Sequence, residues 1–145
     1  MAQAASEPAD GCDLLFYDGH CGLCHRWVRR IVYADAAGDR FRFASLHGET
    51  FERELTATQR AGLPDSIVVK TPDGGVLTRS AAIRRIVDRL GRPPGLLLTT
   101  LPMRLPRPLA DALYRLVARL RFRFFDRTAQ TCPTLPPEFR ERFLP

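Results

Sequence analysis

Lysine is almost missing from this sequence. Of the 22 basic side chains in 145 residues, Lys70 is the one lysine and the rest are arginine. So lopsided a ratio reads as coding bias at least as much as function. It weakens the nucleic-acid reading that a formal charge of +6 invites. Long apolar runs are missing too. No stretch approaches the ~20 uninterrupted apolar residues that span a bilayer, which argues against an integral membrane protein. Residues Met1 to Pro8 lack a basic start and an apolar core, so they are not read as a secretory signal. Cysteine is scarce as well. Four in 145 residues fall below the ~8% of disulfide-stapled mini-proteins, and a reducing cytoplasm is the default compartment. With 45% hydrophobic and 26% charged residues, the chain is not wholly disordered and can bury the core of one domain.

The positive charge is local. Residues 100–145 hold nine Arg and four acids, which accounts for +5 of the +6. Arg104 to Arg127 alone contributes seven Arg against Asp111 and Asp126.

Residues 1–11 are small and polar and read as a disordered tail. Leu14 to Tyr17 is a short apolar run, a buried strand followed by the turn Asp18-Gly19-His20. From Cys21 a helical spacing places Cys24, Trp27, Val28, Ile31 and Val32 on one face, and Gly38 stops the helix. Phe41 to Leu46 reads as a second strand, Glu49 to Ala61 as a polar helix and Ser66 to Lys70 as a third strand. Pro72-Asp-Gly-Gly75 is a hairpin turn before Val76 to Thr78. Ser80 is placed to cap a helix that ends at Gly91.

Prolines crowd residues 92–108, which marks a connection. After it Leu109, Leu113, Leu116, Val117, Leu120 and Phe124 form an apolar stripe, with Arg115, Arg119 and Arg123 on its flank. The expected division is a tail at 1–11, a core at 12–92, and at 93–145 a basic amphipathic helix and tail packed on that core. The order β-α-β-α-β-β-α predicts an α/β fold with a thioredoxin-like mixed sheet and an added C-terminal helix.

Cys21-Gly-Leu-Cys24 follows the first strand and opens the first helix. Residues three apart in a helical turn share a face, close enough for two sulfurs to bond. Unpaired N–H groups and the positive end of the helix dipole stabilise a thiolate at the first cysteine. Cys21 is then the nucleophile and Cys24 the resolving thiol. Two other readings stay open. The pair can be buried small residues, or part of a zinc site drawing on Cys132, Cys12, His20, His25 or His47. The basic C-terminal helix leaves a non-catalytic binding module as a further alternative, although no nucleic-acid-binding motif accompanies it.

Tyr17-Asp-Gly-His-Cys-Gly-Leu-Cys24 resembles the Asp-x-x-Cys-x-x-Cys motif of the DCC family of thiol-disulfide oxidoreductases. The likeness extends to Ser80 to Ile83, Leu101-Pro102, Tyr114 to Arg121 and, more loosely, Cys132-Pro133. It implies a thioredoxin-like fold and dithiol chemistry on a protein or small-molecule disulfide, with no organic cofactor. Ordinary thioredoxins also place a cis-proline before the third strand, and Pro64 is the candidate.

Asp18 is either a proton acceptor for the dithiol or a turn residue satisfying backbone N–H groups. A carboxylate there opposes thiolate formation, so it is no simple activator. Cys132 is either a third redox thiol or a buried small residue. His20 and His25 read as solvated, Trp27 as core packing, and Cys12 is given no role.

Overall fold

The apolar run after the N-terminal tail becomes the middle of a sheet, which explains why it is apolar on both sides. The computed structural model describes residues 11–64, 67–91, 104–125 and 133–145. In chain order the elements are β1 (Asp13–Tyr17), α1 (Gly22–Ala34), β2 (Phe41–Ser45), α2 (Glu49–Glu54), α3 (Ala57–Ala61), β3 (Val68–Lys70) and β4 (Val76–Thr78). Then come α4 (Arg79–Arg89), α5 (Arg107–Phe124), a 3-10 helix (Pro137–Arg142) and β5 (Phe143–Leu144). The sheet order is β4-β3-β1-β2-β5. β1 runs parallel to β2, with Leu14 opposite Arg42, and antiparallel to β3, with Leu15 opposite Val69. This mixed α/β architecture is compatible with the expected thioredoxin-like fold.

Side chains alternate across β1 and feed two cores. Leu15 and Tyr17 join Val28 and Ile31 of α1 and Ile83 and Ile86 of α4. Leu14 and Phe16 join Ala44, Leu55 and Val68 on the other face. Asp13 is the exception within β1. Its buried carboxylate takes a two-pronged contact from Arg85, at 2.8 and 3.0 Å, with Arg89 at 3.6 Å. Burial of a charge is tolerable when it is paired in this way.

Several expectations need correction. Glu49 to Ala61 is two helices. Leu55 adopts an extended conformation (φ −119°, ψ 135°) and is buried, while Thr56 and Gln59 form a capping box that starts α3 afresh. The third strand begins at Val68, and Ser66 lies outside the described residues. Ser80 does not cap α4. Thr78 occupies the cap position without a side-chain bond, and the Ser80 hydroxyl and N–H both donate to Asp111 on α5. The C-terminal turn is a 3-10 helix that leads into a strand, β5, parallel to β2. Residues 1–10 and the proline-rich stretch 92–103 lie outside the described residues.

The largest correction concerns α5. Its apolar stripe faces outward: Leu109, Leu113, Leu116, Val117, Leu120 and Phe124 are all exposed, Phe124 at 72%. The inward arc is instead Ala110, Asp111, Tyr114, Ala118 and Arg121. Polar tethers set this rotation. Asp111 receives Ser80, the Tyr114 hydroxyl accepts the Ile67 N–H at 3.2 Å, and Arg121 reaches Asp18. Turning the helix the other way would break all three contacts and leave buried polar groups unpaired. Among the described residues no helix is long and apolar enough to cross a membrane.

Candidate active site

β1 ends at Tyr17, and the chain must turn before α1 can begin. Asp18 makes that turn. Its Oδ1 accepts the His20 N–H at 2.9 Å, and its carbonyl accepts the Cys21 N–H at 3.2 Å. Cys21 then stands at the N-cap of α1 with an extended backbone (φ −100°, ψ 112°). Ser, Thr, Asp and Asn are the usual residues there, because their oxygens accept a free N–H of the first turn. Here a sulfur does so: Cys21 Sγ accepts the Cys24 N–H at 3.4 Å. Both cysteines are free and buried, Cys21 at 1% exposure and Cys24 at 6%.

The surroundings pull the two thiols apart. Hydrogen bonding from the Cys24 thiol lowers the Cys21 pKa to about 6, against the opposing effect of burial. That value includes the smaller lowering effects of the Cys24 N–H and the Arg121 guanidinium and the raising effect of Asp18. Cys24 is pushed upward, first by its hydrogen bond to Cys21 and then by burial. One thiol is thus prepared as the anion and the other kept protonated.

Arg121 is the group that sequence reasoning missed. It is buried on α5, with Nη2 3.5 Å from Asp18 Oδ2, and its guanidinium stacks on Phe122 with 4.5 Å to the ring centroid. The seven-Arg segment looked like one solvated face. The signal that separates Arg121 from its neighbours is its helical register with Ala110, Tyr114 and Ala118.

Asp18 is buried, pairs with Arg121, and its charge raises the pKa of both thiols. His20 is exposed. His25 is not solvated as expected. It is buried, its Nε2 lies 2.7 Å from the Gly19 carbonyl oxygen, and burial lowers its pKa. Helix periodicity places it inward beside Cys24, where it packs edge-on against Tyr17. Trp27 packs partly buried against the core that holds the cysteines. Cys12 is buried and donates its thiol to the Asp39 carbonyl. Cys132 lies outside the described residues, and so does any test of its role as a third thiol. No cis peptide occurs among the described residues. Pro64 therefore differs from the thioredoxin proline, and two residues, Asp65 and Ser66, separate it from the apolar run at Ile67. Among the described residues no three His, Cys, Asp or Glu side chains gather closely enough to hold a metal ion.

The chain is 33% identical over 136 residues to the "Uncharacterized protein YuxK" of Bacillus subtilis (strain 168), covering 91% of this chain and 93% of the relative. No solved structure matches. A family model described as DCC1-like thiol-disulfide oxidoreductase matches residues 15–127, which carry the end of the first strand, Cys21, Cys24 and all of α5, and the chain belongs to that family.

Proposed function

We propose that this protein exchanges a dithiol for a disulfide at Cys21 and Cys24. The Cys21 thiolate attacks a substrate disulfide, forms a mixed disulfide and expels one substrate thiolate. Cys24 then gives up its proton and attacks the Cys21 sulfur. The second substrate thiolate leaves, and Cys21–Cys24 becomes a disulfide. The substrate gains two electrons and the protein loses two, with the Cys24 proton passing to a departing thiolate. Run backward, the same steps oxidise a substrate dithiol.

The observation that carries this reading is the Cys24 amide held against the Cys21 sulfur at the helix start. It stabilises the anion that attacks and keeps the resolving thiol one turn away. Asp18 is the candidate acceptor of the Cys24 proton, and Cys132 is a candidate third thiol. The chemistry needs no organic cofactor. A cytoplasmic compartment suits a pair of reduced thiols.

Reduction of insulin by dithiothreitol in the presence of this protein tests the reading. Wild type is expected to accelerate the onset of turbidity, and Cys21→Ser to give the uncatalysed rate. Equal rates for the two proteins overturn it.

A further inference from the structure

Around α5 lies an open cavity of about 430 Å³, linked to the dithiol turn through Arg121, which lines it and pairs with Asp18. Its wall includes Arg79, Arg115, Arg119 and Arg121, with Tyr114 and Phe122 between them. Pro64, at the end of the loop before β3, closes one side. No described residue lining it is acidic. Arg121 is paired with Asp18, and Asp111 lies near Arg79. Arg115 and Arg119 are different. Both are exposed, and among the described residues neither has an ion-pair partner.

Arg79 adds a second oddity. It is the one described non-glycine residue with a positive φ, at 52°. A residue with a side chain rarely adopts that conformation. Such strain concentrates at working sites.

We propose that this groove holds the anionic part of the disulfide substrate, and that the substrate carries carboxylates close to its sulfurs. The inference rests on the dithiol reading and names the substrate class for it. The volume falls in the range of small-molecule pockets, about 300–1,000 Å³. Guanidinium groups bind carboxylates through paired N–H donors. The aromatic rings favour a planar or apolar body next to the charge. Arg121 belongs both to the groove and to the surroundings of Cys21, so a carboxylate bound there lies close to the attacking sulfur. The exchange is the one already written: two electrons pass from the dithiol to the substrate, which leaves as two anionic thiols.

Two measurements test this. In the first, reduced protein meets an anionic aromatic disulfide, 5,5′-dithiobis(2-nitrobenzoate), or a neutral one, 4,4′-dithiodipyridine, in single turnover. Reaction of Cys21→Ser/Cys24→Ser protein is subtracted as the contribution of the other thiols. The ratio of anionic to neutral rate is expected to fall about tenfold in Arg115→Gln/Arg119→Gln, in keeping with electrostatic steering. The wild-type ratio is expected to fall as salt is raised, while Arg29→Gln/Arg30→Gln on the outer face of α1 leaves it unchanged. In the second, Cys21→Ser/Cys24→Ser protein is titrated calorimetrically with isophthalate, an aromatic dicarboxylate with no sulfur. Saturable binding that is lost in the Arg115→Gln/Arg119→Gln background supports the groove whether or not the thiols react. Absence of binding, or binding and rate ratios indifferent to those arginines, overturns the proposal. A wild-type protein that binds isophthalate through the arginines but reduces neither disulfide overturns the dithiol reading instead.

Discussion

Arg121 and Asp18 stand 103 positions apart in the chain, yet Nη2 of one lies 3.5 Å from Oδ2 of the other in the interior. The contact joins the last long helix to the turn that carries the dithiol. It also sets two opposite charges on the same sulfur.

The two charges move the Cys21 thiol in opposite directions, so their removal must too. Arg121→Gln is expected to raise the Cys21 pKa, and Asp18→Asn to lower it further, because the carboxylate now opposes ionisation. Thiolate absorbance near 240 nm, followed against pH, reads both shifts. Each variant also strands a buried partner, and denaturant melts should show a loss on the order of 3 kcal/mol.

The same titration on wild type should show a thiolate appearing near pH 6. In Cys24→Ala that value should climb back toward the ordinary one, since the largest lowering influence is gone. The sign for stability follows. The folded value lies below the unfolded value of 9.0. The thiolate therefore contributes fully above the unfolded value, and the contribution is lost as pH falls through about 6. The stability difference between reduced wild type and Cys21→Ser should shrink across that interval.

Asp13 offers a contrast, because its pairing with Arg85 and Arg89 holds β1 to α4 away from the sulfurs. Asp13→Ala leaves two arginines without their carboxylate and should cost roughly 3 kcal/mol. The Cys21 titration should not move. A shifted thiolate curve in a folded Asp13→Ala protein would contradict this separation of support from chemistry.

Gly38 and Gly91 share nearly the same backbone, φ 71° and 69°, but not the same neighbours. Among the described residues a side chain at Gly91 meets no atom within 4 Å, while one at Gly38 collides with the guanidinium of Arg142. Gly91→Ala should lose about 1 kcal/mol, the backbone cost alone. Gly38→Ala should lose more, because Arg142 also hydrogen-bonds the Asp35 and Ala36 carbonyls after α1. Urea midpoints for the two variants check the order.

What could be read from the sequence was local. β1, the start of α1, the Asp-Gly-Gly hairpin and the glycine after α4 are written in neighbouring residues, and the cysteine pair with them. What could not be read depends on distant partners. Ser80 looks like a cap until Asp111 arrives from another helix, and β5 has meaning only beside β2. The stripe on α5 shows the limit most clearly. Periodicity finds the face, but Ile67, Ser80 and Asp18 decide which way the helix is turned.

The division of labour between the two sulfurs bears on electrochemistry. Above about pH 6 the reduced pair carries a single proton, on Cys24, since Cys21 is already ionised. Oxidation there releases two electrons but only one proton. The midpoint potential should therefore fall by about 30 mV per pH unit, half the slope of an ordinary dithiol. Below that pH the slope should double. A redox titration in thiol buffers across the bend would locate the Cys21 ionisation without ever observing the thiolate.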